Sequence, residues 1–170
     1  MAHRHASGAS PGRRRLAARD APLTPPWSDA ARVMAHCTAC GACAEACPQD
    51  ILAIAGGTHP VIAFTQPCTF CGACAEACPE PVFDTGRTPP WDAVAAVSDG
   101  CLERQGVTCR ACEDVCEARA LRCRSQPGGR AVMTVDAEAC TGCGGCVPVC
   151  PVGAIDVRRP THAGRAADAA

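Results

Sequence analysis

The chain has no lysine and no tyrosine, and its aromatic residues, two Trp and three Phe, make up only 3% of 170 residues. Few large side chains are left to fill a core. A small domain this poor in aromatics needs staples: disulfides, metals or a partner. No apolar run approaches the roughly 20 residues that span a bilayer, so no transmembrane segment is expected. No secretory signal is expected either. Arg13-Arg14-Arg15-Leu16 has twin arginines, but Ala17-Ala18-Arg19-Asp20-Ala21-Pro22 follows them, and two charges and a proline make no apolar h-region.

What the chain has is cysteine, 17 in all, so the nominal hydrophobic content of 48% overstates its packing material. Without export, thiols in a reducing compartment form no disulfide framework. Their odd number also forbids complete pairing. Metal ligation is the expectation that remains.

The formal net charge of -1 is unevenly spread. Residues 1–32 carry six Arg against two Asp, residues 33–100 one Arg against seven acids, and residues 101–170 nine Arg against eight acids. An oxidised cubane cluster with its four thiolates carries a further charge of about -2. A chain holding several is distinctly acidic, which argues against nucleic acid as a partner and for a basic protein surface.

Residues 1–26 show no hydrophobic period and read as a disordered basic leader, and residues 159–170 as a flexible tail. Between them the cysteines form four groups: Cys37, Cys40, Cys43, Cys47; Cys68, Cys71, Cys74, Cys78; Cys101, Cys109, Cys112, Cys116; and Cys140, Cys143, Cys146, Cys150. The first, second and fourth follow C-x2-C-x2-C-x3-C-P. The third is C-x7-C-x2-C-x3-C and is followed by Glu117.

The two halves look like copies. Pro25-Pro26-Trp27 recurs as Pro89-Pro90-Trp91 at an offset of 64, the first cysteine group recurs as the third at 64 to 69, and the second as the fourth at 72. This predicts one unit over 27–88 and another, with a longer first cysteine loop, over 89–158. Val61–Phe64 and Val132–Val135 read as strands entering a cysteine group, and Ile51–Ile54 and Ala154–Val157 as strands leaving one. Ala120–Arg124 reads as a further strand and Asp92–Ser98 as a helical turn or two. Short helices are expected between the third and fourth cysteines of each group. The fold class is small α+β: tandem bacterial-type two-cluster ferredoxin-like units, with short strands and short helices organised around iron–sulfur clusters.

Three copies of the four-cysteine-plus-proline run point to 4Fe–4S clusters at groups one, two and four, and the third group is expected to hold a fourth. In two-cluster ferredoxins the last cysteine of each run ligates the other cluster. The same crossing would pair Cys37, Cys40 and Cys43 with Cys78, and Cys68, Cys71 and Cys74 with Cys47. In the second half it would pair Cys101, Cys109 and Cys112 with Cys150, and Cys140, Cys143 and Cys146 with Cys116. Zinc is the competing reading, but zinc knuckles use two C-x-x-C pairs and leave a regular third cysteine unexplained.

Cys123, outside the four groups, reads as a small buried apolar residue or as a substitute ligand for the third cluster. His36 reads as a plain loop histidine. Glu45, Glu76, Glu80, Glu113 and Glu117 read as a solvated face that also lowers cluster potentials.

Several stretches together resemble the NapF family. These are Pro25-Pro26-Trp27-Ser28, His36-Cys37-Thr38 with Cys40, the run from Cys68 to Glu80, Trp91-Asp92, Cys101-Leu102, and Cys109 to Glu117 with its long first loop. Its members are ferredoxin-type accessory proteins of the bacterial periplasmic nitrate reductase system. The sequence offers no nameable nucleophile or catalytic dyad, so no enzymatic activity is expected. The resemblance implies a cytoplasmic protein with 4Fe–4S clusters. It also implies binding to the precursor of the nitrate reductase catalytic subunit and a role in its maturation before export, with electron-transfer capability. A general electron carrier between a membrane quinol-oxidising complex and a redox enzyme is the alternative.

Overall fold

The computed structural model describes residues 23–159. Most of the expected leader and all but Arg159 of the expected tail lie outside the described residues. The regular elements are short. Helix α1 spans Ala30–His36, α2 Ala42–Glu45, α3 Ala73–Glu76 and α4 Ala111–Asp114. Strands β1 (Leu52–Ala55), β2 (His59–Ile62), β3 (Val94–Val97), β4 (Leu121–Ser125), β5 (Ala131–Val135) and β6 (Ile155–Arg158) form three two-stranded antiparallel sheets, paired β1–β2, β3–β6 and β4–β5.

Each strand packs one face inward. In β6, Ile155 and Val157 are buried while Asp156 and Arg158 face water, the period-2 pattern of a half-buried strand. The second half closes on a core of Ala95, Leu121, Met133, Cys146 and Ile155. The first half closes on Cys43, Leu52 and Cys74. Among the described residues, the largest fully buried side chains are those of Val82, Pro25 and Ser28. Cysteine sulfur thus occupies places that Leu or Phe fill in an ordinary core.

Asp92–Ser98, read above as helical, contains strand β3. β-Branched Val94 and Val97 suit a pleated surface, and β6 supplies a partner in the register Val94↔Arg158 to Val97↔Ile155. The position 64 residues earlier holds α1 instead. There Ala, Arg and Met favour a helix, and the Asp29 carboxylate caps it by accepting from the Arg32 N–H at 2.9 Å. The duplicated halves therefore differ where their first segment meets the cysteines.

The fourth group lacks the short helix expected of it. Its loop carries Gly144 and Gly145 where the first two groups carry Gly-Ala, and Pro148 follows. Glycine costs about 0.5–1 kcal/mol in a helix relative to Ala, and proline removes a donor.

The expected leader also ends too late at residue 26. Thr24, Pro25 and Pro26 are buried. The Leu23 carbonyl accepts from Ile62 N–H, the Ser28 hydroxyl donates to the Pro25 carbonyl at 2.7 Å, and Arg159 reaches Thr24 Oγ1 at 2.8 Å. Backbone and hydroxyl groups hold this segment together with Leu23, which packs on the Trp91, Ala93 and Val157 cluster, and the buried Pro25.

The two Pro-Pro-Trp copies meet. Trp27 N–H donates to the Pro90 carbonyl at 2.7 Å. Phe70 packs edge-to-face against both Trp27 and Trp91, and Phe64 against Trp91. Four of the five aromatic side chains thus lie along the seam between the halves. Such pairs each contribute about 0.5–1.5 kcal/mol beyond their buried area.

Candidate iron–sulfur centres

In the first three groups the cysteine loops place three cysteines around one cavity while the fourth departs. Three cavities result. One, of about 320 Å³ including its open mouth, is lined by Cys37, Cys40, Cys43 and Cys78. A second, of about 370 Å³, is lined by Cys47, Cys68, Cys71 and Cys74. A third, of about 350 Å³, is lined by Cys101, Cys109, Cys112 and Cys150. In each, the last cysteine comes from the other group of the same half. Cys116 and Cys140 pack against Cys146 in the core of the second half, as do Cys101, Cys112 and Cys150 of the third cavity, and Cys143 is a close neighbour of Cys146.

Burial pushes the Cys74 and Cys146 thiols up to about 12 and Cys112 up to about 11, with neighbouring thiols adding to the effect. Cys43 and Cys68 are raised for the same reasons. Without metal these thiols are neutral at pH 7, so ligation must displace protons. Several sulfurs already receive backbone donors. Ala39 N–H points at Cys37 Sγ at 3.4 Å, Ala95 N–H at Cys140 Sγ at 3.4 Å, and Ala154 N–H at Cys150 Sγ at 3.2 Å. Such donors stabilise anionic sulfur and raise the potential of an iron–sulfur group.

The donor set fits a cubane. Four thiols surround each of three cavities rather than a point. A single tetrahedral zinc at about 2.3 Å from each sulfur needs the donors in mutual contact.

The long loop of the third group is organised by Glu103, which sequence reasoning passed over. Its side chain is 4% exposed, and it accepts from Cys109 N–H at 2.6 Å. Its place inside the Cys101–Cys109 insertion was the available signal. Cys123 lies on β4, and its N–H donates to Glu113 at 3.2 Å. Burial, and then the Glu103 carboxylate, push its thiol up. The third cavity has its four cysteines without it. Glu45, Glu76 and Glu117 are exposed, whereas Glu80 lines the Cys37 cavity and Glu113 is taken up by Cys123. His36 is exposed in the last turn of α1.

A 4Fe–4S dicluster domain family matches residues 36–82 and 107–154. The chain is thus a ferredoxin-type protein with tandem 4Fe–4S dicluster domains, and Cys101 falls ahead of the second matched segment. The ferredoxin-type protein NapF of Escherichia coli (strain K12) is 41% identical over 135 residues, covering 78% of this chain and 82% of the relative. NapF of Haemophilus influenzae is 43% identical over 135 residues, covering 78% and 77%. The methylamine utilization ferredoxin-type protein MauM of Methylorubrum extorquens is 35% identical over 144 residues, covering 74% and 66%. The chain belongs to the NapF family of ferredoxin-type proteins. Among the described residues, no helix is long and apolar enough to cross a membrane.

Proposed function

We propose that this chain holds four 4Fe–4S clusters, ligated crosswise within each half, and acts in the cytoplasm as an accessory factor for the periplasmic nitrate reductase. Its ligand sets are Cys37, Cys40, Cys43 and Cys78; Cys68, Cys71, Cys74 and Cys47; Cys101, Cys109, Cys112 and Cys150; and Cys140, Cys143, Cys146 and Cys116. The crossed four-cysteine cavities carry the cluster reading. The likeness to NapF proteins supports the accessory role. In that role the chain binds the precursor of the catalytic subunit before export and assists its maturation, with the clusters able to supply electrons.

Bound clusters would supply one-electron chemistry. The chain's own groups do the rest. Thiolates hold iron, backbone N–H groups facing sulfur tune the potential, and the short helices exclude water from Cys43 and Cys74. No general base or nucleophile is needed for this work.

An anaerobic pull-down tests the role. The loaded chain as bait should capture the catalytic subunit as cytoplasmic precursor and not as mature enzyme. Capture of neither form, with clusters verified by iron and sulfide content, would favour a general carrier that exchanges electrons with a quinol-oxidising complex through brief contacts.

A second test addresses the third site. Glu103→Ala leaves the half-buried Cys109 N–H without its acceptor, at a cost of about 1 kcal/mol. Iron should be lost from the Cys101 set first, with the first half keeping its full content. Unchanged iron at all sites would show that Glu103 does not hold this loop.

A further inference from the structure

The seam between the halves brings two cysteine sets into direct contact. Cys68 N–H donates to the Cys143 carbonyl at 2.7 Å. Cys68 lines the cavity of Cys47, Cys71 and Cys74, and Cys143 belongs to the fourth group. Among the hydrogen bonds of the described residues, this one joins cysteines of different halves.

The approach is close because the fourth loop has no side chains in the way. A Cβ on Gly144, which sits at φ +78°, would overlap the Phe64 ring. A Cβ on Gly145 would stand 3.3 Å from Pro67, the residue before Cys68. The first two groups carry Ala42 and Ala73 at the position of Gly145. Gly142, in the same loop, lies under Trp91, whose Nε1 donates to the Thr141 carbonyl at 2.9 Å. Glycines in the fourth loop therefore admit Phe64, Pro67 and Trp91, and this docking sets Cys68 against Cys143.

The geometry points to the Cys68–Cys143 hydrogen bond as the electronic junction of the two halves, so that the chain is one relay and not two independent dicluster units. Within each half, crossed cysteines already join the two sets. The order along the path is the Cys37 set, the Cys68 set, the Cys140 set, then the Cys101 set. One electron crosses the junction at a time. The side it leaves is oxidised by one electron, the side it reaches is reduced by one, and no bond forms or breaks. The terminal sets lie under exposed loops, Thr38 and Cys40 at one end and Arg104–Thr108 at the other.

This inference rests on the cluster reading above, and the experiment separates the two. Iron and sulfide are counted first in the full chain loaded anaerobically; their absence would overturn both. The chain is then reduced with dithionite, and magnetic interaction between clusters is read by electron paramagnetic resonance. The Cys37→Ala, Cys78→Ala, Cys101→Ala, Cys150→Ala chain, which keeps only the two junction sets, should still show a split spectrum. Gly144→Ala, with all four sets loaded, should lose the interaction between halves and keep that within each half. Two unsplit signals from the junction sets would overturn the proposal, as would a Gly144→Ala spectrum identical to the parent's. Should Gly144→Ala fail to load iron, the four-substitution chain decides alone. Should that chain fail to load, reduction of the intact parent by limiting dithionite decides: equilibration between halves supports the junction and its absence overturns it.

Discussion

Anaerobic removal of iron from the loaded chain is expected to abolish its fold, with loss of the far-ultraviolet circular dichroism signal and of protease resistance along the described residues. The reason lies in what is left. Three two-stranded sheets remain, and an isolated two-stranded sheet is marginal in water. Helices α2, α3 and α4 are four residues each, far below the roughly 12–15 that an isolated helix needs. Cys43, Cys74 and Cys146 are themselves core residues. Metal binding free energy is then folding free energy. A chelated chain that kept the parent's proteolytic pattern would show that packing alone carries the structure.

Paired cysteine substitutions should give the second large effect, and they read the crossing directly. Cys37→Ala combined with Cys78→Ala removes two ligands from one cavity. It should cost one cluster, about four irons. Cys68→Ala combined with Cys78→Ala strikes two cavities. It should cost iron at both, up to about eight. Ligation within each consecutive group would reverse the order, because Cys68 and Cys78 would then share a site. Iron content of the two variants beside the parent decides between the patterns.

The cysteine chemistry was legible because ligand spacing is a local property: x2 loops and a departing fourth cysteine are written in consecutive residues. The internal duplication was legible for the same reason. What was not legible depends on partners distant in sequence. Asp92–Ser98 contains a strand because β6 lies beside it, and no local pattern of alanines and valines announces that. Leu23–Pro26 packs through Leu23 against the Trp91 cluster, two buried prolines, backbone carbonyls and a hydroxyl, a mixture that leaves no apolar period. The seam is hidden in the same way. Gly144 looks like a loop glycine until Phe64 is placed against it, and Phe70 gives no sign that it touches both tryptophans. Glu103 sits in an insertion that was recognised, but its burial comes from the turn it stabilises.

Metal analysis of the anaerobically purified chain tests most directly whether these cysteines hold cubane clusters rather than single ions. Four 4Fe–4S sites require about sixteen irons and about sixteen acid-labile sulfides per chain. Single-ion ligation would give about one zinc per four cysteines and no sulfide, and that result would contradict the account.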